Sequence, residues 1–313
     1  IEDVELDLID KFSSVCSERV LIEDYVCIVD PSYVLYEGSK DLLIRFLAKH
    51  PDAVLAYPDE DQIGNHNFRS KPWFKTDWNY DLFLSQDYIS TCFVCRKTWY
   101  EENKSVFERL DVSLALATIL PNLTSKKILH LPLVLAHKLL PYKSNRDEIL
   151  ESERARVLTN TIDTLTSVGL TSRNLIFNFS VPNPEPLVSL IIPTRNRLNI
   201  LKPCVESILE KTTYGNFEIL ILDNQSTDQD ILEWFELIQA DQRIRVLHYD
   251  HAFNYSAINN FGVQQAHGSV IGLINNDVEV ISANWLTEMV AHACRADIGC
   301  VGAKLYYSNG QIQ

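Results

Sequence analysis

No run of apolar residues in this sequence approaches the roughly 18 that a membrane-spanning helix requires. There is no Gly-x-Gly-x-x-Gly turn and no Gly-Lys-Ser/Thr loop, the devices that bring backbone N–H groups against a dinucleotide or nucleotide phosphate. A nicotinamide-dependent dehydrogenase and a P-loop enzyme are thereby disfavoured. Basic charge is short as well: 28 Lys and Arg face 42 Asp and Glu, a net charge of −14. That balance argues against general nucleic-acid binding, which needs a basic face. It leaves room for a small anionic ligand, because local groups or a metal can neutralise one. An initiator methionine is missing, the single Met being Met289, and the sequence reads as a piece of a longer chain. Its opening stretch, Ile1 to Asp10, is acidic and does not read as a secretory leader.

Cysteine is sparse and odd in number, 7 in 313 residues. This usage fits reduced thiols in a cytoplasmic chain rather than a disulfide framework. The one Cys-x-x-Cys, Cys92 to Cys95, has no second pair and lies in an apolar, strand-like run, so core cysteines are expected there. What is present is ordinary globular composition, 46% hydrophobic and 22% charged, at a length suited to about two domains.

The second half alternates short apolar runs with helical stripes. Strands are expected at Leu187–Ile192, Phe217–Leu222, Ile244–Leu247 and Val270–Ile274. Between them lie helices marked by Leu201, Val205, Ile208 and Leu209, by Ile231, Phe235 and Ile238, and by a start near Ser256. Asn199 is the expected N-cap of the first. A last stripe runs through Trp285, Leu286, Met289, Val290 and Ala293, with a further strand within Gly299–Tyr307. Such alternation indicates a mostly parallel sheet covered on both faces.

The first half repeats part of this order. A strand at Tyr25–Val29 ends in Asp30-Pro31-Ser32, a stripe follows at Leu42, Leu43, Phe46 and Leu47, and a strand is expected at Ala53–Tyr57. We read two incomplete copies of one domain type, the first starting late and the second stopping early. The expected boundaries are 1–140 for the first, 141–186 for a helical and Pro-rich linker, and 187–313 for the second. In the linker, Ser144 with Asp147 suggests a capping box, Leu158, Ile162 and Leu165 a helical stripe, and Gly169 its C-cap.

Ligands of open α/β sheets bind beyond the C-terminal strand ends. Three polar clusters fall there: Pro193 to Arg197, Asp223 to Asp228, and Asn275 to Asp277. Asp223 is suited to accept hydrogen bonds from a ribose or a base; capping of the next helix by Asp223 or Ser226 is the alternative. Asp277, beside Asn276, offers oxygen ligands suited to Mg²⁺ or Mn²⁺, which take their remaining ligands from phosphate and water. A plain polar turn is the alternative.

The runs Val188-Ser189-Leu190-Ile191-Ile192-Pro193-Thr194-Arg195-Asn196-Arg197 and Glu218 to Asp228 resemble the first two strand-and-loop motifs of family 2 glycosyltransferases, an inverting group with the GT-A fold. Phe253 to Asn260 and Leu273-Ile274-Asn275-Asn276-Asp277 resemble the form seen in bacterial rhamnosyltransferase-like and O-antigen enzymes. Asn275-Asn276-Asp277 stands where many members carry Asp-x-Asp. Tyr57 to Asp61 and Lys71 to Trp78 resemble the first domain of two-domain members. The resemblance implies a GT-A, Rossmann-like α/β fold preceded by a partial, degenerate copy of the same domain type. It implies transfer of a sugar, with inversion, from a nucleotide diphosphate-sugar donor to a glycan or lipid-linked acceptor in cell-surface polysaccharide synthesis. It places Pro193, Thr194 and Arg195 at the nucleotide, Asp223 at its base or ribose, Asn276 at the diphosphate, and Asp277 on Mg²⁺ or Mn²⁺. No catalytic residue is assigned. Ser32 occupies the place of Asp277 in the first copy and cannot replace a metal carboxylate, so that copy is expected to be non-catalytic. Asp111 falls roughly where an acidic residue of that copy would stand, although an ordinary surface Asp fits better. The implied location is cytoplasmic, with peripheral association at the inner face of the membrane and no nucleic-acid partner. A non-catalytic glycan- or partner-binding remnant of the same fold is the rival reading; a nucleotidyltransferase is disfavoured by the missing Gly-rich loop.

Overall fold

The computed structural model describes residues 20–22, 24–64, 68–140, 146–170 and 174–313. The chain divides into two units, Ile1–Asn178 and Phe179–Gln313.

In the first unit the strands are β1 (Val20–Ile22), β2 (Tyr25–Val29), β3 (Tyr33–Leu35), β4 (Leu55–Ile63), β5 (Arg69–Trp73), β6 (Cys92–Arg96) and β7 (Ile128–Leu139). They form one sheet in the order β1-β2-β6-β4-β7-β3, with β5 added on β4. Only β4 and β7 pair in parallel; the other pairs are antiparallel. Helices α1 (Ser39–Ala48), α2 (Tyr80–Ser85), α3 (Lys97–Glu102), α4 (Lys104–Arg109) and α5 (Val112–Ile119) accompany it. Cys92 and Cys95 are buried on β6, and burial raises both thiols, as expected of core cysteines.

The strand expected to end at Tyr57 continues to Ile63 and buries three successive acids, Asp59, Glu60 and Asp61. Burial is tolerated because each carboxylate has partners. Asp59 meets His130 Nε2 at 2.7 Å and the Lys75 backbone N–H at 2.7 Å. Glu60 accepts from Tyr33 Oη at 2.7 Å and from Thr91 Oγ1 at 2.8 Å, and pairs with Lys75 Nζ at 2.9 Å. Asp61 meets His137 Nδ1 and Arg69 Nε, each at 2.6 Å. Pro58, which has no N–H to give a ladder, sits where the β4–β7 register shifts.

Helix α6 (Arg146–Thr161) is followed by the paired strands β8 (Leu165–Leu170) and β9 (Leu175–Phe179). The helix thus ends earlier than its stripe suggests. Leu165 opens β8, and Gly169 lies inside that strand rather than at a helix C-cap. The spacing from Leu158 to Leu165 fits a helix, but pairing with β9 decides the outcome. Ser144 of the expected capping box lies outside the described residues.

The second unit holds β10 (Val188–Thr194), β11 (Phe217–Asp223), β12 (Ile244–His248) and β13 (Val270–Leu273), all parallel in the order β12-β11-β10-β13. Helices α7 (Leu198–Lys211), α8 (Gln229–Ile238) and α10 (Trp285–Ala293) pack their Leu201, Val205, Ile231, Phe235, Leu286 and Val290 on Leu190, Ile192, Ile219 and Ile221. On the other face Ile258 of α9 (Tyr255–Gln265) meets Ile191, Leu220 and Leu222. The expected parallel sheet with helices on both faces is therefore present. Gly262 lets α9 lie close: a Cβ there would stand 2.7 Å from Leu222 Cδ1 and 2.8 Å from Ile191 Cγ2. At the N-terminal ends of the strands, Glu218 accepts from Ser189 Oγ at 2.6 Å and His267 N at 2.7 Å, and pairs with Arg245 at 3.0 Å. Burial alone would raise its carboxyl, but these bonds and the Arg245 charge hold it below the usual range.

Two expectations fail in this unit. Helix α7 starts at Leu198 behind a left-handed Arg197 (φ 58°), so Asn199 lies in its first turn instead of capping it. The segment expected as a strand within Gly299–Tyr307 forms only an isolated bridge, Tyr306 to Ile312. Leu305, Tyr306 and Tyr307 are exposed, and no neighbouring strand among the described residues pairs with them.

Arg154 of α6 is wholly buried. Its Nη1 donates to the Leu84 carbonyl at 2.8 Å, its Nη2 to that of Phe83, and its guanidinium lies 4.8 Å from the Phe83 ring centre. Burial alone would raise the Asp87 carboxyl, but the charge of Arg154 and hydrogen bonds from Ser113 and Ser90 hold it low. Arg154→Met is expected to destabilise the first unit by about 3–5 kcal/mol, because the charge of Asp87 and two carbonyls lose their partner. Urea unfolding at neutral pH measures this. The contribution of Asp87 is present above its unfolded pKa and declines as pH falls below it, so the gap between wild type and variant should narrow in acid.

Candidate functional site

Parallel pairing brings the C-terminal ends of the four strands to one edge of the second unit. The ladder sets Thr194 beside Asp223 and Asp223 beside His248. Thr194, the last residue of β10, joins all three polar clusters. Its carbonyl accepts from the backbone N–H of Asn224 at 2.8 Å, and its hydroxyl accepts from Asn276 Nδ2 at 3.0 Å.

Asp223 is 3% exposed and ends β11. One carboxylate oxygen accepts from the Ser226 N–H at 3.0 Å, and the other meets His248 Nδ1 at 3.1 Å. Each oxygen keeps acceptor capacity. Asp223 therefore shapes its own loop without capping α8, whose N-cap is Asp228. Asn224 is buried, and its Nδ2 donates to the carbonyls of Tyr249 at 3.1 Å and His251 at 2.8 Å, fastening the segment after β12.

Asn196 and Arg197 follow β10 with left-handed backbones, φ 54° and 58°. Asn196 N donates to Ser226 Oγ at 2.7 Å, and its Oδ1 accepts from the N–H groups of Thr227 at 2.7 Å and Asp228 at 3.2 Å. The first two loops are thus tied to each other. Pro193 is half-buried inside β10, whereas Arg195 is exposed at the rim.

The third loop is fastened from below by α7. Cys204 Sγ lies 3.6 Å from the Asn275 carbonyl. Ser207 Oγ accepts from Val280 N at 3.0 Å, and Lys211 Nζ donates to the Val280 carbonyl at 2.9 Å. Burial pushes the Cys204 thiol up to about 11; a hydrogen bond from Val278 opposes this, and the charges of Asp277 and Glu279 add to it. Asp277 itself is exposed. Among the described residues no group of three or more His, Cys, Asp or Glu side chains is assembled. One exposed carboxylate fits a hard cation that draws most ligands from water and a bound diphosphate, and does not fit a closed zinc site.

In the first unit, Ser32 donates through both N and Oγ to Asp30 Oδ1. Asp111 caps α5 by accepting from Ser113 N at 3.0 Å, in keeping with its ordinary reading. The roles of Asn196, Asn224 and His248 are additions from the structure. Asn196 and Asn224 lie inside motifs visible in the sequence, and His248 is one residue past the expected end of its strand.

Residues 189–312 match the family model described as Glycosyl transferase family 2, so this unit belongs to that family and its sheet is the Rossmann-like layer of a GT-A fold. The chain is 33% identical over 313 residues to the O-antigen biosynthesis protein RfbC of Myxococcus xanthus, covering 90% of this chain and 23% of that protein. It is 38% identical over 309 residues to the uncharacterized protein y4gI of Sinorhizobium fredii, covering 92% of this chain and 33% of that one. The chain thus spans a third or less of these curated relatives. The mannosyltransferase PcManGT from Pyrobaculum calidifontis, solved in complex with GDP-Man and Mn²⁺, aligns over 39% of this chain and 36% of its own at 17% identity and a TM-score of 0.36.

Asn196→Ala is expected to cost about 2 kcal/mol of stability, since it loses three loop hydrogen bonds and leaves a β-carbon in the left-handed region without a compensating side chain. Asn196→Asp, which keeps the acceptor, should lose far less. Chemical denaturation followed by circular dichroism compares the two.

Proposed function

We propose that this chain is part of a glycosyltransferase of cell-surface polysaccharide synthesis. The donor is a nucleotide diphosphate-sugar, the acceptor a glycan or lipid-linked sugar, and the transfer inverts the anomeric carbon. The observation that carries this reading is the convergence on Thr194 of three polar loops at the carboxyl edge of a parallel sheet, the place where such sheets bind ligands. The O-antigen relative points to the same process.

In this reading Pro193, Thr194 and Arg195 border the nucleotide. Asp223 accepts hydrogen bonds from the ribose or base through the acceptor capacity that Ser226 and His248 leave free. Asn276, held by Thr194, would stand at the diphosphate. Asp277 would hold Mg²⁺ or Mn²⁺, which when bound neutralises the departing diphosphate. The acceptor hydroxyl gives up its proton to a base and attacks in line. Asp223 and Asp277 have other tasks, so neither is assigned as that base. In this reading the first unit is a partial, degenerate copy: β2, the Asp30–Ser32 turn and α1 follow the order of β13, the Asn275–Asp277 turn and α10, with β3 inserted before α1 and, among the described residues, no strand after α10 to match β4. The absence of a carboxylate at Ser32 supports a non-catalytic role for it. The protein works at the cytoplasmic side of the membrane as a peripheral partner; no helix among the described residues is long and apolar enough to cross a bilayer.

Asp223→Ala is expected to weaken nucleoside diphosphate binding by about 1–3 kcal/mol, the range for leaving polar groups unpaired. Calorimetric titration of the folded variant measures it, and unchanged affinity would return Asp223 to loop shaping alone. Binding of Mn²⁺ and nucleoside diphosphate should strengthen each other reciprocally. Asp277→Asn should abolish this coupling and Ser32→Ala should leave it intact, as read by the paramagnetic relaxation of Mn²⁺ with and without diphosphate. Full coupling in Asp277→Asn would overturn the metal assignment.

A further inference from the structure

We infer that His248 is a nucleoside-contacting residue of the donor site, oriented for that task by Asp223. The inference rests on the donor-site reading above and adds a residue and a direction to it.

The geometry begins with the pair itself. An ionised carboxylate only accepts, so the 3.1 Å contact between Asp223 Oδ2 and His248 Nδ1 requires the proton on Nδ1. That fixes the ring plane and leaves Nε2 as the outward atom. Asp223 is 4% exposed at its side chain whereas the imidazole is 67% exposed. A buried carboxylate therefore orients an open ring at the rim of the site. No described residue hydrogen-bonds to Nε2. The pair is also rigidly based: Tyr249 N donates to the Asp223 carbonyl at 2.8 Å, and Asn224 holds the carbonyls of Tyr249 and His251.

The direction follows from the strand order β12-β11-β10-β13. His248 ends the strand at one side, and Asn276 and Asp277 follow the strand at the other. Adjacent strands lie about 4.8 Å apart, so the ends of β12 and β13 are separated by roughly 14 Å and His248 from β10, to which Asn276 reaches back, by roughly 10 Å, the span of a nucleoside diphosphate. With the diphosphate at Asp277, the nucleoside reaches the β11–β12 side. There His248 Nε2 offers one hydrogen bond to a base edge or ribose hydroxyl, and the ring offers a face for stacking. His248 is placed to read the nucleoside and is too far across the sheet to read the diphosphate.

The test uses the 313-residue chain with Mn²⁺ and measures affinity for UDP, for GDP and for inorganic pyrophosphate by calorimetry. Thermal unfolding verifies that each variant is folded. His248→Ala should weaken the nucleoside diphosphate that binds by about tenfold, one good hydrogen bond's worth, and leave pyrophosphate unchanged. Two amides separate contact from orientation. Gln places its amide nearer the position of Nε2, and Asn nearer that of Nδ1. His248→Gln should recover most of the loss and His248→Asn little of it. Recovery by Asn but not by Gln would overturn the inference and make His248 only a support for Asp223. Unchanged nucleoside diphosphate affinity in His248→Ala, or an equal loss of pyrophosphate, would also overturn it while leaving the donor site standing. Failure of the wild-type chain to bind any of these nucleotides would remove the donor reading and this inference together.

Discussion

The second unit depends on what Thr194 does at the end of its strand. A parallel sheet leaves every strand's last carbonyl and side chain at one edge, where loops must satisfy them or leave them to water. The Thr194 carbonyl takes the backbone of the second loop, and its hydroxyl takes the side chain of the third. Asn196, two residues on, binds the far side of the second loop through its side chain and its backbone. The three loops are therefore assembled by short bonds from one strand end. A residue that is 5% exposed can in this way set the shape of a surface it scarcely reaches. An alanine or valine at that place would keep the strand and lose the bond to Asn276.

Buried carboxylates serve more than one end in this chain. In the first unit, Asp59, Glu60 and Asp61 are each met by at least two groups, among them Lys75, His130, His137 and Arg69. Acids engaged with charged and polar groups in this way hold a sheet together. Asp223 has one partner on each oxygen and sits at a strand end beside an exposed imidazole. Asp61 likewise has one partner on each oxygen, so place at a strand end beside an open imidazole, more than saturation or burial, separates Asp223 from the acids of β4. Cys204 makes a related point, since its raised thiol beneath the third loop marks an apolar floor under polar backbone.

Much of the second unit was legible in its sequence. Leu190, Ile191 and Ile192 are apolar without alternation because both faces of β10 are covered, and polar residues then crowd at the strand end where packing stops. The misses have physical causes. Asn199 has a good capping side chain, but the chain turns through a left-handed Arg197 and enters the helix two residues earlier. Leu165 and Gly169 fit a helical spacing that cross-strand pairing overrides. The acids of β4 look like a loop in isolation, since the partners that permit their burial come from residues up to 76 positions away. The pairing of His248 with Asp223 was hidden for the same reason: it is a product of register, and register is set by neighbouring strands.

At the far end of β11 from Asp223 lies the Glu218 cluster, with Ser189, Arg245 and His267 around one carboxylate. Glu218 and Asp223 lie on one extended strand and stand about 17 Å apart. Changes at sites so well separated, with no shared partner, add with little cross-talk. One pole of the sheet can thus be reworked by descent while the other keeps the polypeptide folded. A lineage built on this sheet is free to try new substrates at its carboxyl rim without renegotiating the architecture beneath.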